Sequence, residues 1–453
     1  MKKTINTRKW VFLPIEVKSR EMQSRLLIAS ELARRGYGIL LGKKVLRGRK
    51  FPGIVLFNSF GGGIYKELSE QGNKIIVMDE ESIVRSKGWI KERFNSEKFK
   101  FIEFYVSPGH SLSKELNELS SIDGRKILTL GNPRIDLLGT KLNFVHDKQI
   151  KRIKKIHKDF ILVNTAFPYG NFLMSEQFLI QQHLKRNSPL TKSAENACIE
   201  EMLNLIKHYN EKKENFLNGL MYLLKSLPEV NFVLRPHPGE NPDFWKRALK
   251  AHKNIKVVKK YNVIPWIKAS DLLIQSGCTT AVEAFALKTP CISMELTQNN
   301  VADPQLPKQL SLVLDSSQKT CDFIKEFLRD KSYYYKKIDY QRQSQIFEHH
   351  VEYNKGESFK KICDQIDKIK IKQNQVTLKK RSKNQSIGKI KNYVFSLYNR
   401  QGRYEKYKVE SLSISEITKF IESYLVENQY QEKIEVLRTD FNQYLIYKAS
   451  TII

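Results

Sequence analysis

The chain has 453 residues, 41% of them hydrophobic, and a formal net charge of +30. That length allows two or three domains with sizeable cores; no apolar run is long enough for a membrane span, and the lysine-bearing start lacks a signal-peptide core, so export is not expected. Five scattered cysteines without metal-ligand spacing fit free thiols in a reducing cytosol, and the cationic excess favours phosphorylated or polyanionic partners, although no helix-turn-helix, zinc-finger or aromatic RNA-binding pattern supports nucleic acid.

In chain order, residues 10–15 read as a first strand leading into the loop 16–21. The helix after it carries Leu26, Leu27, Ala29, Leu32 and Ala33 on one stripe and ends near Gly36. Short strands follow at 38–41 and 53–57. Gly61, Gly62 and Gly63 open another helix but lack the spacing of a dinucleotide fingerprint. The buried strand 74–78 ends in Asp79, Glu80 and Glu81, adjacent carboxylates whose repulsion can raise a pKa, as a general base requires. A solvated acidic loop or a helix cap is the alternative. Strands at 101–106 and 126–130 come next, the latter running into Gly131, Asn132, Pro133 and Arg134 with Pro early in a helix.

After a Lys- and His-rich break at 146–158, a second series begins with strand 159–164. Its centre is a pair of motifs. Arg235, Pro236, His237, Pro238, Gly239 and Glu240 follow the apolar run 230–234, at a strand's C-terminal end, where open α/β sheets bind ligands. Ser276, Gly277, Cys278, Thr279 and Thr280 follow the run 272–274 and start a helix whose free N–H groups can approach a phosphate. Together they describe a phosphate site; a rigid Pro-His-Pro turn and an ordinary helix cap are the separate alternatives.

Alternating strands and helices predict an α/β fold of two Rossmann-like doubly wound domains facing a cleft. The expected division is 1–150 and 151–330 for the two domains, with bracing helices at 331–367. Residues 368–404 carry eleven basic side chains and no acidic one, a linker or a membrane-docking segment. A small C-terminal helical or α+β unit at 405–453 opens on Ser413 and Glu416, a capping-box pattern.

The motifs at 14–21, 79–81, 131–136, 235–238 and 276–285 resemble the bacterial surface carbohydrate biosynthesis proteins, glycosyltransferases of the GT-B fold. The likeness runs over about residues 10–350 and leaves the basic tail outside it. The motifs are also similar to those of His-Pro GT-B enzymes with cytidine-activated donors, the sialyl- and Kdo-transferases. Ser82 stands where those enzymes commonly have glycine. The resemblance implies His237 at the donor phosphate, with Ser276, Thr279 and Thr280 around it, and Glu80 or Glu81 as base.

On that footing the expectation is an inverting, metal-independent transfer of a sugar in capsule or lipopolysaccharide synthesis. The donor set is Arg235, His237, Pro238, Ser276, Gly277, Thr279, Thr280 and Glu283. Glu283 would take ribose hydroxyls, or else face solvent. Arg20, Glu21 and Arg134 are the candidates for the acceptor side, the two arginines alternatively for a sugar carboxylate or a structural ion pair. No cofactor or metal is expected, since no suitably placed Asp-x-Asp is present. The expected partners are a nucleotide-sugar donor, a glycan or lipid-linked glycan acceptor and, through the tail, an anionic membrane on the cytoplasmic face. Transfer of a polyol phosphate from a CDP-linked donor, nucleotide-sugar 2-epimerisation and non-catalytic polyanion binding stay open.

Overall fold

The computed structural model describes the chain except residues 1–2, 6, 44, 47–50, 61–63, 86–89, 91–92, 95, 120–121, 188–189, 298–302, 354–355, 373–375, 379–412, 441–442 and 450–453. The glycine triplet at 61–63 and most of the basic run therefore lie outside the described residues. The chain divides into two compact units, one of residues 1–82, 93–145 and 349–453 and one of residues 83–92 and 146–348. Residues 331–348 thus belong to the second unit and 349–367 to the first.

The strands in chain order are β1 (Lys3–Ile5), β2 (Trp10–Pro14), β3 (Gly38–Gly42), β4 (Ile54–Phe57), β5 (Lys74–Val77), β6 (Phe104–Ser107), β7 (Ile127–Thr129), β8 (Ile161–Asn164), β9 (Phe232–Arg235), β10 (Ile255–Val257), β11 (Leu272–Gln275), β12 (Cys291–Met294), β13 (Leu312–Leu314), β14 (Val376–Leu378), β15 (Ile434–Asp440) and β16 (Gln443–Lys448). In the first unit they form a sheet of order β15-β16-β3-β2-β4-β5-β6-β7, with β1 and β14 pairing separately. From β3 to β7 every pairing is parallel. That is why β2, β4 and β6 read as unbroken apolar runs: helices cover both faces of such a sheet.

The C-terminal segment does not stand apart. Its helix, Ile414–Glu427, opens on the complete Ser413/Glu416 capping box. The hairpin after it lays β16 antiparallel on β3, Leu445 opposite Leu40. The Tyr424 hydroxyl donates to Glu31 at 2.8 Å. Burial alone would raise the Glu31 pKa, but bonds from Arg34, Arg35 and Tyr424 outweigh it and hold it at about 2.

The second unit is a six-stranded parallel sheet of order β10-β9-β8-β11-β12-β13. The chain moves outward from β8 to β9 and β10, then returns to the other side of β8 for β11. This places the topological switch point between β8 and β11, where doubly wound sheets bind their ligands at the strands' carboxyl ends. Alternate residues feed two cores. Ile161, Val163, Phe232 and Leu234 pack with Phe216, Leu220 and Leu224 of the long helix Lys192–Ser226. Phe160, Leu162, Val233 and Leu273 pack with Trp266, Ile267, Ala281 and Ala284 on the other face. No helix among the described residues is long and apolar enough to cross a membrane.

Candidate functional site

Two groups of polar residues gather at the carboxyl ends of the two sheets, one in each unit.

In the second unit, β9 ends at Arg235 and the chain turns sharply through Pro236 and Pro238. The Gly239 amide donates to His237 Nδ1 at 3.1 Å. In the neutral ring this bond leaves the proton on Nε2, making that nitrogen a hydrogen-bond donor. The turn is pinned by Glu240, which is fully buried. Its carboxylate accepts from the Thr165 hydroxyl (2.8 Å), the Phe167 amide (2.9 Å), Asn171 (3.2 Å) and the Trp245 indole (2.7 Å). Burial raises the Glu240 pKa and these bonds oppose the rise. Thr165, just past β8, also accepts from the His237 amide at 3.4 Å, so His237 is fixed to the central strand.

Arg235 is half-buried, donates to the Tyr261 carbonyl at 2.8 Å and lies over the Trp266 ring. Burial lowers its pKa to about 10, against the attraction of Glu283. Ser276 is buried behind β11, and Gly277 adopts φ +72°, a left-handed conformation that favours glycine. The Lys212 ammonium lies 3.5 Å from where a Cβ on Gly277 would sit. It belongs to a buried charge cluster, 3.1 Å from Asp303 and 3.7 Å from Glu295, with Lys308 3.2 Å from Glu295 and His208 3.2 Å from Asp303.

Thr279 is exposed, Thr280 is buried and Pro238 half-buried. The helix Thr280–Ala286 has two turns, so its dipole is small, and the hydroxyls carry more of any anion binding than the sequence suggests. Glu283 does not face solvent: it is 3% exposed and attracts Arg235. The His-Pro and Ser/Thr motifs therefore stand at the carboxyl end of the same sheet, after the strands on either side of β8.

In the first unit, the loops after β2, β4 and β5 form an arginine–carboxylate network. Glu21 is fully buried and accepts from the amides of Glu16 (2.8 Å) and Val17 (3.1 Å), from Asn58 (2.9 Å) and from Arg20 (3.1 Å). Its carboxylate is committed to holding this loop. Asp79 is likewise buried, accepting from the amides of Phe60 and Glu81 and pairing with Arg93 at 2.8 Å.

Glu80 and Glu81 differ sharply. The Glu81 side chain is 48% exposed and paired with Arg20 at 3.1 Å and with Arg93. Burial pushes its pKa up, but the two arginines outweigh that and hold it at about 2. Glu80 is buried, faces Arg25 at 3.6 Å, and has no hydrogen-bond partner on either oxygen among the described residues. Burial raises its pKa to about 7, against Arg25, Arg134 and Arg20. Arg134, whose amide donates to Asn132 Oδ1 at 2.9 Å, thus adds its charge to the same network.

No protein-family profile and no curated protein matches the chain by sequence. Solved structures do match. A histidine variant of the wall teichoic acid polymerase TagF soaked with CDPG superposes with a TM-score of 0.51 at 13% identity, over 80% of this chain and 88% of TagF. The UDP-GlcNAc 2-epimerase of Neisseria meningitidis bound to UDP-GlcNAc gives 0.50 at 13% identity, over 80% of this chain and 100% of the epimerase. The chain has a GT-B-type fold.

Within that GT-B fold, sequence reasoning passed over Glu240, Arg25 and Arg93. Glu240 stood inside the quoted His-Pro motif, and a buried strand before it with Trp245 after it was the available hint. Arg25 sits on the helix Lys18–Arg34 among apolar residues, an arginine on a buried stripe. Arg93 carries no local signal, since its partners, Asp79 and Glu81, lie in the loop after β5.

Proposed function

We propose that this protein is an inverting, metal-independent glycosyltransferase of surface polysaccharide synthesis that uses a cytidine-activated donor at the cytoplasmic face of the membrane. The observation that carries the reading is the set of His237: a strand-end imidazole with Nδ1 engaged by Gly239, held by Glu240 beside the switch point. Its Nε2–H suits a leaving phosphate, which gains negative charge as the bond to the anomeric carbon breaks. Arg235 and the hydroxyls of Ser276, Thr279 and Thr280 serve the same anion, and Glu283 takes the ribose.

Glu80 is the base in this reading. Its oxygens are closed to solvent in the structure, so the entering acceptor first uncovers them. Glu80 then removes the proton of the acceptor hydroxyl as that oxygen attacks the anomeric carbon, and the nucleotide departs with the bonding electron pair. A carboxylate with a pKa of about 7 is well matched to that step at neutral pH, whereas Glu81, held at about 2, is a weak base. Glu81 instead orients Arg20 and Arg93, and Arg20 with Arg134 receives the acceptor.

The likeness to TagF favours a second reading, transfer of a polyol phosphate from a CDP-linked donor, with the nucleophile attacking phosphorus. A thermal-shift series with CMP, CDP, UDP and GDP tests the cytidine requirement shared by both. Stabilisation by CMP or CDP is expected, and stabilisation by UDP alone would falsify it. Product analysis with CMP-sugars and CDP-glycerol then separates the two.

A further inference from the structure

At the carboxyl end of β8, directly beside the switch point, Asn164 is 3% exposed. Neither its Nδ2 nor its Oδ1 has a hydrogen-bond partner among the described residues. A buried primary amide wholly unsatisfied is rare in folded proteins and calls for an explanation. Its register partner on β9 is Arg235. Paired residues on parallel strands share a face, and the Arg235 Nε is unpartnered as well. Strand alternation puts this face on the side of Phe160 and Leu162, with Trp266 and the helix carrying Thr280 and Glu283. Two donors and one acceptor therefore stand unused between the His237 turn and the Ser276 loop.

We infer that Asn164 is a donor-binding residue that reads hydroxyl groups of the moiety carried on the donor phosphate, an assignment that rests on the transferase reading above. A phosphate cannot complete this site by itself. It offers only acceptors, so it would satisfy Nδ2 and Arg235 Nε and leave Oδ1 buried and unmet. A hydroxylated sugar or polyol supplies both roles: one oxygen accepts from Nδ2 and a neighbouring hydroxyl donates to Oδ1. Arg235 then holds the adjoining phosphate. A site built to bond a substrate hydroxyl discriminates strongly against analogues lacking it, because its own polar groups are otherwise stranded. Asn164 thus separates the complete donor from the bare nucleotide.

The test is isothermal titration of the full chain and its Asn164→Leu variant with CMP-N-acetylneuraminate, CDP-glycerol and UDP-N-acetylglucosamine, each beside its bare nucleotide CMP, CDP or UDP. For the donor that wild type binds most tightly, Asn164→Leu is expected to lose about tenfold or more in affinity while the matching nucleotide changes by less than about twofold. The melting temperature should hold or rise, because the near-isosteric substitution removes two unsatisfied groups. An equal loss for donor and nucleotide, no loss for either, or a lowered melting temperature accompanying a general loss overturns the assignment. If wild type binds nucleotides and only this differential fails, the transferase reading stands without the subsite. If wild type binds none of the six, both fall together.

Discussion

The guanidinium of Arg25 lies 3.6 Å from the carboxylate of Glu80, and neither side chain reaches solvent. Removing both charges from water is expensive, and the raised Glu80 pKa expresses that cost. The folded pKa of about 7 stands above the ordinary 4.5. Between those two values the folded chain binds more protons than the unfolded one, so stability falls as pH rises through this window and levels off above it. The total is on the order of 3 kcal/mol for a shift of this size. Urea denaturation at pH 5 and pH 8 measures the fall, and Glu80→Gln should remove most of it while lowering stability overall, because Arg25 loses its nearest counter-ion. In turnover the sign reverses. The base must be ionised, so kcat/KM should climb through pH about 7 in wild type and be nearly abolished in Glu80→Gln. A flat wild-type profile would count against Glu80.

Glu240 and His237 should separate cleanly. Glu240→Gln replaces an acceptor of four hydrogen bonds with a side chain whose NH2 opposes two of those donors. A loss of about 3 kcal/mol in unfolding free energy is expected, together with weakened nucleotide binding as the turn loosens. His237→Ala removes a half-buried ring bonded to Gly239 through Nδ1. It should cut turnover by about a hundredfold or more, with little change in melting temperature. Unchanged turnover in His237→Ala removes the imidazole from the mechanism.

How much of this was readable in advance depends on the distance over which each feature is written. β8, β9 and β11 announce themselves because a strand covered on both faces is a local apolar run, and His237 and Ser276 sit at the ends of two such runs. The choice between Glu80 and Glu81 is not local. It turns on Arg25, from a helix some fifty residues earlier, and on Arg93, 12 residues after Glu81. The role of Glu240 depends on Thr165 and Asn171, about seventy residues away. The C-terminal hairpin is further still: Leu445 finds Leu40 across the chain, and alternation within β16 indicates a strand without indicating its partner.

Gly277 gives a test that involves no chemistry of its own. Its φ of +72° lies where a side chain is strained, while a Cβ there would meet Lys212 Nζ at 3.5 Å, an ordinary contact. Gly277→Ala should therefore act through the backbone alone, costing roughly 1–2 kcal/mol. Differential scanning calorimetry should show a drop of a few degrees. Donor affinity should fall with it, because the relaxed loop no longer holds the backbone at Gly277 against Lys212. A variant with wild-type melting and wild-type affinity would show that this loop conformation is unnecessary.

The basic run calls for substitution rather than truncation. Cutting at 368 would also strip β15 and β16 from β3 and remove the Tyr424 bond to Glu31, so lost membrane binding could reflect a damaged sheet. Replacing Lys379, Lys380, Arg381, Lys383, Lys389 and Lys391 with Gln leaves the hairpin sequence untouched. If this segment docks on anionic lipid, each cation near the surface contributes about 1 kcal/mol, so the sextuple variant should lose most of its sedimentation with phosphatidylserine vesicles. Wild-type binding should weaken steeply between low and physiological salt, as the screening length shortens to about 8 Å, and should be absent with neutral vesicles. Equal sedimentation of variant and wild type would assign the run to a linker and leave the net charge without a membrane role.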